Sequence, residues 1–419
     1  MTATQDAHAS IEAVWRIEAA RLVAGLTRMV HDVGLAEELA QDALVAALEQ
    51  WPREGVPRNP GSWLMAISKR RAIDRFRRQD TLDRKHAEIA HDLASRQFDN
   101  DLDTVLDDHI EDDLLRLMFV SCHPVLSTEA RVALTLKLLG GLKTGEIARA
   151  FLVSEATVAQ RIVRAKKALA DANVPFEVPE RSELPARLGS VLEAIYLIFN
   201  EGYSATAGDD WMRPELCAEA LRIGRILAGL IPAEPEVHGL VALMEIQASR
   251  TAARTDASGE PVLLLEQNRA KWDRLLIRRG LAALERAESL APRGKYTLQA
   301  ALAACHARAA TPDDTDWERI AALYDELGSL EPSPIIELNR AVALSMANGP
   351  QAGLDVVDQL LDVKALASYH LLPSVRGDLL AKLGRTDEAR AEFERAAAMT
   401  RNERERALLL GRARECGGI

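Results

Sequence analysis

Residues 126–169 read LSTEARVALTLKLLGGLKTGEIARAFLVSEATVAQRIVRAKKAL and divide into three predicted helices. The first ends at Gly140-Gly141, a short second helix covers 145–151, and a longer third helix starts at 155. Three helices of this length separated by two tight turns are typical of a helix-turn-helix unit. The segment therefore predicts a helical domain with a short connection between its last two helices.

The turn chemistry of this segment supports the same assignment. Thr144 and Ser154 are predicted to cap the second and third helices, because a hydroxyl can accept a hydrogen bond from a free N–H of the first turn. Ala148 has a small side chain where the two helices must cross closely.

The third helix has an apolar and a polar face. Its core positions follow helical spacing: Val158, Ile162, Ala165 and Leu169. The opposite face carries short polar and bidentate donors for base edges, and lysines for phosphates. The candidate DNA-binding residues are Ser154, Thr157, Gln160, Arg161, Arg164, Lys166 and Lys167. The alternative is an amphipathic helix with a solvated basic face.

A second basic helix lies nearer the N-terminus, in PGSWLMAISKRRAIDRFRR (60–78). It combines the aromatic Trp63 with a dense basic row, as expected where a nucleic-acid strand is held by its phosphates and unstacked against a ring. The candidate DNA-binding residues here are Trp63, Lys69, Arg70, Arg71, Arg75, Arg77 and Arg78. Taken alone, the stretch could also be a buried Trp beside a solvated face. The prolines at 52, 57 and 60 predict a loop before it.

Charge is unevenly distributed along the chain. The net charge of −11 argues against a nucleic-acid partner, because phosphate neutralisation needs Lys and Arg. However, most charged residues of 80–113 are acidic, and this segment directly follows the basic helix. The net charge therefore conceals a local concentration of basic residues. We interpret 81–110 as an acidic linker between two basic modules.

Composition restricts the fold and the class of function. At 419 residues, with 48% hydrophobic but only 4% aromatic residues, the chain predicts an all-α protein of about three domains. It shows no signal peptide and no long apolar run, which predicts a cytoplasmic protein with no membrane association. Its four cysteines are far apart, and it shows none of the usual catalytic motifs. We therefore expect no metal, no cofactor and no enzymatic activity.

Two basic helical modules joined by an acidic linker, in this order, resemble the conserved domains of extracytoplasmic-function (ECF) sigma factors of RNA polymerase. AEELAQDALVAALEQW (36–51) resembles the helix that binds the clamp helices of the polymerase β′ subunit, which implies polymerase-binding roles for Glu38, Gln41 and Asp42. The loop 53–61 resembles the one that takes up a flipped promoter base, which implies roles for Arg58 and Asn59.

The resemblance implies a division of labour along the chain. Residues 9–80 would form sigma region 2, which binds the −10 element and the polymerase clamp. Residues 111–172 would form sigma region 4, whose helix-turn-helix binds the −35 element and, by another surface, the β flap. Two residues depart from the family pattern. Arg70 replaces a common Asn in the basic helix, and Leu152 replaces a common Gly in the turn.

The remaining chain predicts a helical extension domain (185–290) followed by tetratricopeptide-like (TPR-like) helical repeats (291–419). Tyr324, Val357 and Phe393 stand at a repeat close to 34 residues, and Gly377 and Gly384 lie where such a repeat places them. A sigma-factor subgroup carries a similar extension, which implies regulation in cis. The extension also offers a surface for an unidentified protein partner.

Two other functions are consistent with parts of the sequence. A conventional helix-turn-helix regulator with a TPR-like sensor or scaffold domain would bind operator DNA without core polymerase, normally as a dimer. The third hypothesis is that the chain is an enzyme or a scaffold protein. The acids of 191–211 could be metal ligands, but the segment is more typical of a buried apolar helix followed by a capped turn.

Overall fold

The structure is a computed structural model that describes residues 3–79, 102–151, 153–204, 212–256, 261–290, 292–400 and 402–416. The regular elements of these ranges are helices, and Thr255 pairs with Pro261 through an isolated antiparallel bridge. The predicted all-α fold is confirmed. The chain divides into an N-terminal unit, Met1–Leu197, and a C-terminal unit, Ile198–Ile419. Within the described ranges, no helix is both long enough and apolar enough to cross a membrane.

The N-terminal unit is built from two groups of helices and the first part of a helix that continues into the next unit. Its described helices are α1 (Ala3–Val30), α2 (Val33–Glu54), α3 (Pro60–Gln79), α4 (Leu102–Ser121), α5 (Thr128–Leu138), α6 (Thr144–Ala150), α7 (Glu155–Asp171) and α8 (Leu184–Tyr203).

Helices α1, α2 and α3 pack around one core. Leu26, Leu39 and Leu64 are at most 1% exposed, and the Ser68 hydroxyl donates to the Leu39 carbonyl at 3.2 Å across the α2–α3 contact. Each Å² of apolar surface removed from water in this way stabilises the folded state by about 25 cal/mol. The periodic apolar residues of the three segments thus fix how the helices lie against each other.

The predicted loop at the prolines is shorter than expected. Helix α2 continues through Pro52 to Glu54, and Gly55, with φ at 87°, ends it by donating to the Trp51 carbonyl at 2.9 Å. A proline removes one N–H hydrogen bond and crowds the preceding turn, so the helix ends soon after Pro52, and a glycine is suited to the positive φ that follows. Pro60 is the first residue of α3, where its missing N–H costs nothing. The loop is confined to 55–59.

The second group of helices begins inside the predicted linker. Helix α4 starts at Leu102, whereas residues 80–101, which hold most of the predicted linker, lie outside the described residues. Ser127 caps α5 by accepting from Ala130 N, at 3.3 Å. Helices α5, α6 and α7 follow at the positions expected for the helix-turn-helix.

The C-terminal unit contains the end of α8 and a series of further helices. Those described are α9 (Pro214–Leu230), α10 (Pro235–Ala248), α11 (Arg274–Leu290), α12 (Lys295–Arg308), α13 (Trp317–Leu330), α14 (Pro334–Asn348), α15 (Pro350–Gln359), α16 (Leu371–Lys382), α17 (Thr386–Met399) and α18 (Glu403–Cys416). Short 3-10 helices cover Thr251–Ala253, Leu264–Glu266, Arg269–Lys271, Pro312–Asp314 and Lys364–Leu366.

Helices α16 and α17 cross where the sequence places small residues. A Cβ on Gly377 would lie 3.0 Å from the ring of Phe393 and 3.2 Å from the Ala389 carbonyl, so that only a small residue fits well there. Phe393 is 1% exposed and belongs to the core of this region. This contact agrees with the expected roles of Gly377 and Phe393, while the TPR-like character of the extension stays a prediction.

Candidate nucleic-acid and polymerase interfaces

Helix α7 presents the two faces that its sequence predicts. Its core positions are all buried, between 1% and 5% exposed: Val158, Ile162, Ala165 and Leu169. Ser154 caps the helix as expected, with its hydroxyl accepting from Thr157 N at 3.1 Å. The cap fixes where the helix starts, and the buried residues fix which side of it faces the core.

The turn before α6 differs from expectation at one residue. The N-cap of α6 is Lys143, not Thr144, and the Glu146 carboxylate accepts from Lys143 N at 2.7 Å. Thr144 is therefore the first helical residue, and the Glu146 carboxylate satisfies the backbone N–H of the N-cap residue, as the acid of a capping box does. Ala148 is buried at 4% exposure, as expected, and the Leu152 side chain lies outside the described residues.

The candidate DNA-binding residues of α7 lie along its polar face. Gln160, Arg164 and Lys167 are exposed, whereas Thr157 and Arg161 are half-buried. The Ser154 hydroxyl lies 2.7 Å from Thr157 Oγ1 and so takes part in the cap. The exposed side chains can reach an external partner, and the roles assigned to them remain predictions.

Lys166 has a different environment from its neighbours. It is half-buried and donates to Glu37 of α2, whose other carboxylate oxygen lies 3.5 Å from Lys137 Nζ on α5. A second contact joins Lys143 Nζ to Glu12 of α1, at 2.7 Å, in the same unit. The helix-turn-helix thus packs against the α1–α3 group, and Glu37 is the acid that the sequence did not single out.

The loop 55–59 leads into α3 through Asn59. Its side-chain oxygen accepts from Ser62 N at 3.1 Å, so Asn59 caps α3, while Arg58 is exposed. Trp63 is half-buried and meets the buried Trp51 edge to face, with ring centroids 5.2 Å apart. The expected aromatic therefore rests on a second ring that helps to fix its orientation.

The predicted basic residues of α3 meet the predicted acids of α2. Arg71 lies 3.2 Å from Asp42, and Arg75 lies 2.7 Å from Glu38. All four side chains are at least one third exposed, so that each pair contributes little to stability. These contacts place the two sets of candidate residues side by side on adjacent helices.

The other members of the basic row differ in exposure. Lys69 is half-buried and Arg70 is exposed, while the side chains of Arg77 and Arg78 lie outside the described residues.

The outer face of α2 is mixed, acidic and apolar. Glu38 and Asp42 are exposed and Gln41 is half-buried. Val45 and Leu48 continue the same helical stripe and are 49% and 37% exposed, which is high for large apolar side chains. Sequence reasoning missed both, although their spacing from Glu38 places them on its face. Such a stripe suits a protein partner better than nucleic acid.

The side chains that could bind metal or react are few in the described ranges. There, no group of three or more His, Cys, Asp or Glu residues could hold a metal ion. Burial raises the pKa of Cys122 to about 11, and its sulfur lies 3.2 Å from Thr135 Oγ1. At neutral pH this thiol is protonated and unreactive.

Three sequence families match the chain. Residues 16–81 match the family described as Sigma-70 region 2, and residues 116–169 match Sigma-70, region 4. Residues 187–288 match a family of unknown function, DUF6596. The two sigma matches cover α2–α3 and the helix-turn-helix.

Similar proteins fall into two kinds. A protein of Rhizobium meliloti (strain 1021), described as uncharacterized, is 45% identical over 389 residues, which are 92% of this chain and 90% of that protein. The ECF RNA polymerase sigma factor SigK of Mycolicibacterium vanbaalenii is 29% identical over 155 residues, covering 34% of this chain and 71% of SigK. SigK of Mycobacterium sp. (strain KMS) is 28% identical over 149 residues, covering 34% and 72%.

Proposed function

We propose, from the premise that this chain belongs to the ECF sigma factors of RNA polymerase, that α2 contacts the polymerase while α3 and α7 read two promoter elements. As a sigma factor the chain binds core RNA polymerase and promoter DNA and directs transcription initiation. The observation that carries the finer proposal is the face of α7, where Gln160, Arg164 and Lys167 are exposed over a fully buried core face.

The proposed polymerase contact is the α2 stripe of Glu38, Gln41 and Asp42, extended by Val45 and Leu48. The acids would meet basic groups of the β′ clamp helices, and the exposed apolar side chains would be buried on binding. Asp42 and Glu38 lie beside Arg71 and Arg75 in the free chain, and these weak, exposed pairs would exchange readily for contacts with the partner.

The proposed −10 contact combines the loop 55–59 with α3. Arg58 and Arg70 are exposed and can reach phosphates or base edges, while Trp63 provides a ring against which a base can stack. Asn59 is engaged in capping α3 and so acts by shaping the loop as well as by contact. Arg77 and Arg78 would extend the basic row.

The proposed −35 contact is α7 in the major groove. Thr157, Gln160, Arg161 and Arg164 would face base edges, and Lys166 and Lys167 would face phosphates. Ser154 would act mainly as the cap that fixes the helix start. Another surface of the same domain would meet the β flap.

Reading both elements requires the two modules to separate. The elements are about 25 base pairs apart, or about 85 Å at about 3.4 Å per base pair. In the structure, Lys166 of α7 contacts Glu37 of α2 directly. The Glu37 contact therefore represents a closed state, and polymerase and promoter binding would favour an open one.

The helical extension is proposed to regulate the same chain. A matched pair of glycines offers a test that leaves the DNA-binding modules intact. A Cβ on Gly239 would lie 2.6 Å from Thr297 N across the α10–α12 contact, whereas a Cβ on Gly229 would meet nothing within 4 Å. Gly239→Ala should change promoter output in a reconstituted system, and Gly229→Ala should not. Equal output from both variants would contradict regulation in cis.

The sigma-factor assignment itself is tested by reconstitution. The purified chain is mixed with core polymerase, and transcript starts are mapped on genomic DNA. We expect selective initiation from a defined promoter set, with weak duplex binding by the chain alone. Tight operator binding by the free chain without selective initiation would instead favour a conventional helix-turn-helix regulator.

A further inference from the structure

The C-terminal unit buries a cluster of arginines that is unrelated to the DNA-binding modules. Arg250, Arg254 and Arg269 are 8%, 5% and 7% exposed. Charged side chains are seldom buried to this degree unless they are paired. The cluster is therefore a feature that needs a physical explanation.

Aromatic rings separate the guanidinium groups. The Arg254 guanidinium lies 3.6 Å from the centroid of the Tyr203 ring, and that of Arg250 lies 5.9 Å from both the Tyr203 and Trp272 rings. The Arg269 guanidinium lies 4.8 Å from the Trp272 ring. Cation–π contacts satisfy the flat faces of these cations but leave their in-plane N–H groups in need of acceptors.

Arg269 shows which donors are left over. Its Nη1 donates to the carbonyls of His306 and Ala309, at 2.6 and 2.7 Å. Its Nε and Nη2 are buried and have no hydrogen-bond partner among the described residues. Nε and Nη2 form one edge of the planar guanidinium, which is the edge that binds a carboxylate or phosphate through two parallel hydrogen bonds.

Neighbouring groups add further unused donors. Arg250 donates from Nη2 to the Tyr203 hydroxyl at 2.7 Å, but its buried Nε has no partner in the described part of the chain. The same holds for the indole Nε1 of Trp272, a residue that is 3% exposed. Within those ranges, neither Arg250 nor Arg269 forms an ion pair, and the acid that acts on Arg269, Asp314, does so without a direct contact.

The electrostatic environment of the three arginines favours an additional negative charge. Burial lowers the pKa of Arg269, and the nearby Arg250 lowers it further, while the Asp314 carboxylate opposes this shift only in part. Burial, with Arg250 and Arg269, lowers the pKa of His306 to about 4, so this imidazole is neutral near pH 7. An anion would relieve the repulsion between the cations and accept the free N–H groups, whereas a cation or an apolar ligand would do neither.

We propose that Arg269, Arg250 and Trp272 form a binding site for the oxyanion group, carboxylate or phosphate, of a small molecule. As a ligand input to the extension, this site deepens the proposed regulation in cis. It rests on the C-terminal unit alone and is tested without polymerase or DNA, so that its failure and that of the proposed function are distinguishable.

The test is calorimetric titration of the full chain with inorganic phosphate and, separately, with acetate, at an ionic strength held constant with KCl. We expect one saturable site per chain for at least one of these anions, and the stronger of the two identifies the preferred oxyanion. Absence of saturable binding for both would overturn the proposal.

Variants distinguish this site from the basic surfaces of the N-terminal unit. Arg269→Lys keeps the charge but removes the bidentate edge and should weaken binding at least tenfold. Arg250→Gln should also weaken it. Arg278→Gln removes an exposed arginine of α11 and should leave binding unchanged. Circular dichroism verifies that each variant is folded, and equal affinity in folded Arg269→Lys would refute the site.

A last pair of substitutions tests whether the chain supplies its own anion. Asp209 and Asp210 follow Tyr203 closely in the sequence and lie outside the described residues. If phosphate or acetate binds only after Asp209→Asn and Asp210→Asn, the cluster pairs with these carboxylates and the proposal is wrong. Binding by the unmodified chain supports an external ligand.

Discussion

Glu37 of α2 accepts a hydrogen bond from Lys166 of α7, which joins the proposed polymerase-binding helix to the proposed recognition helix. Lys137 of α5 approaches the same carboxylate at 3.5 Å. The Glu37 side chain is only 10% exposed, and those of Lys137 and Lys166 are 15% and 21% exposed. Two cations from the helix-turn-helix thus depend on one largely buried acid.

Removing that charge should loosen the contact between the two modules. Glu37→Gln leaves both lysines without a carboxylate, and we expect a loss of about 1–3 kcal/mol at the contact. Hydrogen exchange of α2 and α7 amides should become faster, and the free chain should bind −35 duplex DNA more tightly because Lys166 is released. Glu49→Gln, at an exposed position of the same helix, is the control. Unchanged exchange in Glu37→Gln would mean that the contact does not hold the closed state.

The proposed division of roles on α7 predicts two different losses. Gln160→Ala removes a bidentate base contact, which should cost about 1–3 kcal/mol on the preferred promoter and relax its sequence preference. Lys167→Ala should weaken binding to all promoters alike and lower the salt slope by about 0.9. Both side chains are exposed.

The measurement is binding of the polymerase–sigma complex to a panel of −35 variants at several salt concentrations. If both substitutions gave the same uniform loss, neither residue would read bases.

The buried face of α7 predicts a stability difference between two valines of one helix. Val158 is 1% exposed and Val163 is 64% exposed. Val158→Ala should destabilise the N-terminal unit by about 1–3 kcal/mol through lost burial and a cavity, whereas Val163→Ala should change stability by less than about 0.5 kcal/mol. Chemical denaturation followed by circular dichroism measures both. Equal shifts would indicate that the helix is rotated relative to the structure.

Helix α7 could be predicted almost completely because its determinants are local. The spacing of Val158, Ile162, Ala165 and Leu169 fixes the buried face, and Ser154 fixes the start. The cap of α6 lies one residue earlier than predicted: Lys143 is the N-cap residue, and the Glu146 carboxylate accepts from its backbone N–H, a contact that the position of a hydroxyl does not indicate.

Long-range pairs could not be predicted in the same way. Glu37 and Lys166 are 129 residues apart, and no local pattern marks an acid that becomes buried only when the modules meet. The Arg71–Asp42 and Arg75–Glu38 pairs depend likewise on how α2 and α3 pack. The helices that carry the candidate residues could be predicted, but the pairing of these side chains and the exposure of Val45 and Leu48 could not.

The neutral His306 predicts that the stability of the C-terminal unit depends on pH. Its pKa is about 4 in the folded protein and near 6.5 when unfolded, so the unfolded chain takes up the proton first as pH falls. Stability should therefore be complete above about pH 6.5 and decrease toward pH 4, by up to about 3 kcal/mol.

His306→Asn removes this group, so the difference in unfolding free energy between the unmodified chain and this variant should shrink between pH 7.5 and pH 5. His31→Asn, at an exposed position whose φ of 55° an Asn tolerates, should preserve the full pH dependence. A difference that stays constant over this range would mean that His306 is accessible to protons in the folded protein.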